Sequence, residues 1–131
     1  MTVPFWCLLA AVVIPYLLSF TGAAFRNREL GSVDNRNPRL QAQQLTGAGA
    51  RCYAAQQNAW EALAVFTAAV AVAHLAGADP ERSTTAALVF IVARVLHAVF
   101  YLADQDKLRS LVWIVGFGSC IWLFVLAAGA P

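Results

Sequence analysis

The sequence predicts an all-α fold, an integral membrane four-helix bundle, on two observations. Hydrophobic residues make up 60% of the chain and charged residues only 12%, far from the balance of a water-soluble domain. Four stretches also reach the roughly 20 mostly apolar residues that cross about 30 Å of hydrocarbon. They use up nearly all of the 131 residues, so residues 1–131 read as one transmembrane domain in contact with the lipid bilayer.

The first stretch, residues 2–25, carries no charge. It has no basic leading region and exceeds the roughly 7 to 15 apolar residues of a signal-peptide core, so it reads as a retained span. Pro15 removes one backbone hydrogen bond inside it and predicts a bend near Tyr16. The second stretch, 46–78, has Arg51 and Glu61 in its early half and turns to Ala, Val and Leu afterwards. The third, 83–103, contains Arg94 and His97, and the fourth, 108–130, is free of charge after Arg109. Gly116, Gly118 and the alanines between 62 and 78 predict close approach of helix backbones.

Basic residues cluster in two of the three connections. Arg26, Arg28, Arg36 and Arg39 fall in the first, Arg51 opens the second helix, and Lys107 and Arg109 border the third connection. The second connection sets Arg82 against Asp79 and Glu81, and neither terminus carries Lys or Arg. The positive-inside rule then puts both termini on the non-cytoplasmic side of a multi-pass protein. Within the first connection, residues 34–39 read as a turn in which Asx residues and Pro oppose helix, with the second helix beginning early, near 41–46.

A net charge of +2, with the basic residues at membrane borders, excludes nucleic acid as a partner. Cys7, Cys52 and Cys120 are widely separated and show no metal-type spacing, so they read as small packing residues with neither a metal nor a disulfide. A proton-coupled four-span exporter would need a carboxylate in its first helix. Residues 2–25 have none.

Ionisable residues near the bilayer centre cost about 2.5 to 3.5 kcal/mol each, so they need a partner or a purpose. Arg51, Ala54, Ala55, Asn58 and Glu61 fall within an arc of roughly 120° on the second helix. Arg94, His97 and Tyr101 fall within about 60° on the third. The second helix leaves the cytoplasm and the third returns to it, so the two polar faces are expected to meet in that half of the membrane, near Arg109 and Ser110. Two readings follow. Glu61 pairs with Arg94 or Arg51 and Asn58 and Tyr101 act as interhelical glue, or the set binds a ligand.

The pattern Arg51-x-Tyr53-x-Ala55-Gln56-x-Asn58-x-x-Glu61, with Arg94-x-x-His97-x-x-x-Tyr101 and Arg109-Ser110, resembles the MAPEG family, the membrane-associated proteins of eicosanoid and glutathione metabolism. The resemblance spans nearly the whole chain, and the 34–39 loop is similar to that of short bacterial members, whose membrane would be the bacterial inner membrane. It implies a homotrimer with glutathione between subunits near the cytoplasmic side and a lipophilic small molecule arriving from the bilayer. Glutathione would be bound by Arg51, Asn58, Glu61, Arg94, His97 and Tyr101. Arg109 would stabilise its thiolate and Ser110 would assist. The implied function is a glutathione-dependent transferase or peroxidase; the alternative is a non-catalytic lipid- or protein-binding member. Two departures bear on that choice. Ala54 stands where eicosanoid-pathway members carry an arginine, and Ala62 where an aromatic residue often follows the glutamate. Arg26 ends the first helix, where the register against a further family arginine is not fixed.

Overall fold

A computed structural model describes residues 1–131. The chain forms α1 (Val3–Leu30), α2 (Pro38–Ala42), α3 (Gly47–Leu75), α4 (Pro80–Leu102) and α5 (Asp106–Ala128). All but α2 are long and apolar enough to cross a membrane, and the molecule is an all-α bundle of four such helices. The α1–α3 and α4–α5 connections lie at one end, called the loop end below. Both termini and the α3–α4 turn lie at the other.

Helix boundaries differ from the apolar stretches because hydropathy marks where lipid ends, not where hydrogen bonding ends. The first helix continues past residue 25 through Arg26, Asn27, Arg28 and Glu29, and stops at Gly31, which adopts φ 81° and donates its N–H to the Asn27 carbonyl. Glycine tolerates that left-handed geometry without a Cβ clash. The fourth helix in chain order begins at Pro80 rather than 83. Asp79 caps it by accepting from the Arg82 N–H at 2.8 Å, and proline at the first position loses no hydrogen bond. In place of 46–78, α3 ends at Leu75, just before Gly77 turns the chain at φ 73°. The last helix spans Asp106–Ala128 rather than 108–130.

The first connection holds both a confirmation and a correction. Asp34 Oδ1 accepts the N–H groups of Arg36 (2.8 Å) and Asn37 (3.1 Å), an Asx turn. Those N–H groups, Asn37 first and Arg36 next, hold the Asp34 carboxyl below its ordinary value. Pro38, however, starts the short helix α2 instead of opposing helix, since a first-turn residue needs no N–H partner. The chain then leaves helix until Gly47, so α3 does not reach back to 41. Gln41 holds the loop, donating to the Ser32 carbonyl (2.7 Å) and accepting from the Asp34 N–H (2.8 Å). Glu29, in the last turn of α1, accepts from the Thr46 N–H at 3.1 Å, immediately before α3. A carboxylate is favourable at that positive helix end.

Only 27 of 131 residues are buried, so the interior is thin and most of the apolar surface is left for lipid. Leu17, Phe20, Val92, Ile114 and Val125 all point outward. The main core stacks Phe66 on Phe90, centroids 3.8 Å apart, among Ala69, Ala73, Ala87, Cys120 and Leu123. Truncating a buried Phe typically costs about 3–5 kcal/mol. Helix α1 continues unbroken through the buried Pro15. Gly116 meets α4 closely, where an added Cβ would lie 3.5 Å from Ala93 Cβ. Gly118 faces open space, so only the first of these two glycines serves helix approach.

Candidate functional site

The polar faces of α3 and α4 meet in the half of the bundle toward the loop end. Arg94, buried at 5% exposure, donates through Nη2 to Asn58 Oδ1 at 2.7 Å. The same Nη2 lies 3.4 Å from His97 Nδ1. Asn58 in turn donates through Nδ2 to Glu61 Oε2 at 3.4 Å. The expected Glu61 ion pair with Arg94 or Arg51 is absent; the Asn58 amide stands between the Arg94 and Glu61 side chains and presents its oxygen to the cation and its nitrogen to the carboxylate. Glu61 itself is exposed on the surface of the chain.

One turn beyond His97, Tyr101 packs edge-on against its ring, centroids 5.5 Å apart. The Arg109 guanidinium lies 4.4 Å from the Tyr101 ring centroid, a cation–π contact between two half-buried groups worth about 0.5–2 kcal/mol. Asn58, His97, Tyr101, Arg109, Ser110 and Trp113 line an open cleft of about 330 Å³. Glu61 and Arg94 instead line a smaller compartment of about 120 Å³, with Cys120 at its wall. Trp113 borders both.

Arg51 lies outside this set. Its Nε donates to the Leu102 carbonyl at 3.4 Å, and its Nη1 is 3.5 Å from Asp104 Oδ2, the sole ion pair in the chain. His74 sits at the opposite end, edge-on to Phe5.

Two features escaped sequence reasoning. Trp113 follows Arg109 by four residues, which puts it on the same helix face; that spacing was the available signal. The second is a polar cleft of about 700 Å³ on a different face of α3, lined by Arg26, Arg39, Tyr53, Gln56 and Trp60 among others. Arg26 donates to the Pro38 carbonyl there, at 3.0 Å, a contact created by α2, which the turn reading of the loop does not include.

Chemically, the cleft offers a guanidinium, two hydroxyls and an amide for a polar ligand, with a carboxylate and a buried guanidinium behind Trp113. No curated protein sequence matches the chain. The sequence model of the MAPEG family matches residues 3–129, which takes in all five helices and every residue of the two compartments, and the chain belongs to the MAPEG family.

Proposed function

We propose that the protein is a membrane-bound glutathione-dependent transferase or peroxidase acting on lipophilic electrophiles. The family includes glutathione transferases and peroxidases alongside other members. The observation that carries the reading is Arg109, held over Tyr101 in a cleft that also contains Ser110. A thiol of pKa about 8.5 is mostly protonated at neutral pH, and an adjacent guanidinium favours the nucleophilic thiolate at about 1.4 kcal/mol per unit of lowering.

In conjugation the thiolate attacks an electrophilic carbon, a C–S bond forms, and the leaving atom takes the bonding pair. Ser110 can donate a hydrogen bond to that atom. With a hydroperoxide the thiolate takes the terminal oxygen and releases an alcohol; a second glutathione then displaces water and yields the disulfide. Glu61 accepts from the glutathione ammonium, and Asn58, Arg94, His97 and Tyr101 hold the peptide. Arg51 joins them by leaving a partly exposed ion pair worth roughly 0–1 kcal/mol.

The working form is a homotrimer with the site between subunits. Glu61 supports this, because its position well into α3 leaves a carboxylate exposed at membrane depth on a lone subunit, at a cost of about 2.5–3.5 kcal/mol near the centre. A head-to-tail ring of copies sets one subunit face against a different one, and the Arg26–Gln56 cleft is a second polar face at the same end. The loop end faces the cytoplasm and both termini face away from it.

Ala54 favours a second reading, a non-catalytic member that binds lipid or a partner protein, since it removes a cation for the two glutathione carboxylates. Calorimetric titration with glutathione, with mass spectrometry of any thiol that co-purifies, separates the readings. Binding with turnover of a lipophilic electrophile is expected. Binding without turnover favours the second, and absence of binding ends the glutathione assignment.

A further inference from the structure

At the termini end, α4 and α5 part to leave a groove of about 490 Å³ lined by Glu81, Arg82, Thr85, Gly118, Ser119 and Trp122 among others. We propose that this groove binds a zwitterionic phospholipid with a primary ammonium head, phosphatidylethanolamine in type, seating one acyl chain between the helices. The inference is independent of the glutathione site, which lies toward the loop end.

The groove floor is built for a chain. A Cβ added at Gly118 would meet nothing within 4 Å. The two hydroxyls on its walls are turned back onto their own helices: Thr85 Oγ1 donates to the Glu81 carbonyl at 3.0 Å and Ser119 Oγ to the Val115 carbonyl at 2.9 Å. With those donors satisfied, the walls offer little to hold water. An apolar slot between two helices gives a flexible chain dispersion contacts along its length. Trp122 is 56% exposed beside it, and an indole near a helix end suits the interfacial zone.

The mouth selects the head group. Glu81 and Arg82 are both exposed, and neither takes part in an ion pair. Adjacent residues on a helix do not face each other, so the two charges remain available side by side in the first turn of α4. A guanidinium complements a phosphate and a carboxylate complements an ammonium. A primary ammonium donates hydrogen bonds to Glu81, which a quaternary choline head cannot. An anionic glycerol head brings phosphate alone and leaves Glu81 opposing it.

The test is native mass spectrometry of the delipidated protein in mild detergent, given equimolar phosphatidylethanolamine, phosphatidylcholine and phosphatidylglycerol of identical chains. Retention of the ethanolamine lipid over each of the others by about tenfold is expected, equivalent to about 1.4 kcal/mol. Glu81→Gln should erase the preference over choline, Arg82→Gln should weaken all three lipids, and Gly118→Leu should block the groove. These positions are exposed, so folding is expected to persist and is checked by circular dichroism. Preference for phosphatidylglycerol, equal retention of all three lipids, no retained lipid, or wild-type retention by both Glu81→Gln and Gly118→Leu would each overturn the proposal.

Discussion

Arg94 on α4 and Asn58 on α3 are joined by a 2.7 Å hydrogen bond from guanidinium to amide oxygen, and the other end of that amide meets Glu61. A neutral side chain thus couples a buried cation to a carboxylate on the surface of the bundle. Replacing Asn58 by Leu, of similar size, leaves the Arg94 guanidinium without its shortest contact. A hydrogen bond to a charged group is worth about 1.5–3 kcal/mol, and Asn58→Leu should lose stability of that order in detergent unfolding. An unchanged midpoint would show that the amide does not hold the bundle together.

The proposed chemistry separates Arg109 from Glu61. Arg109→Ala should leave glutathione binding largely intact and abolish the ultraviolet thiolate band, as the thiol returns toward its reference pKa. Glu61→Gln should weaken binding by about 10- to 150-fold, the equivalent of roughly 1.5–3 kcal/mol for a charge-assisted contact. Since Glu61 forms no ion pair with Arg94, it should do so without unfolding the bundle. Normal conjugation by Arg109→Ala would remove that residue from the mechanism.

Only strong acid should loosen the loop. The Asp34 carboxyl is held below its ordinary value by the N–H groups of Asn37 and Arg36. A depressed folded-state pKa contributes stability that is fully present above the unfolded pKa and is lost as pH falls through the folded one. Protection of the Arg36 and Asn37 amides, taken relative to their intrinsic exchange rates, should therefore hold through pH 5 and fall only below the normal carboxylate range. Asp34→Ala, which removes the acceptor, should lose that protection across the whole interval. Loss of that protection in the unmodified protein near pH 5 would contradict the Asx turn as its source.

The orientation is open to a direct check. Reporter fusions at the C-terminus should show activity only on the non-cytoplasmic side, following the arginines at the loop end. A cytoplasmic C-terminus would move the candidate site to the other leaflet.

The four spans were legible because lipid imposes about 20 apolar residues per crossing, and Arg94, Asn58 and Glu61 were legible because helical periodicity groups them on facing stripes. Their connectivity was not. Opposite charges suggest an ion pair, and only the folded structure brings Asn58 between them. Arg51 shares the stripe with Asn58, yet it turns toward Leu102 and Asp104, since a long side chain one turn inside a helix reaches the neighbouring turn as readily as its own face. The α2 helix was hidden because proline both breaks and begins helices, and which it does depends on the Asx turn before it.

Trp113 gives the molecule a built-in optical reporter. Its indole forms part of the wall of both compartments and stacks against Phe117 with centroids 5.4 Å apart, so an occupant of either chamber changes the polarity around one chromophore. Of the other three tryptophans, Trp6 and Trp122 border neither chamber, and Trp60 sits edge-on to Tyr16. With those three replaced by Phe, emission from a single indole would register filling of the cleft in intact membranes, free of any added label that competes for it.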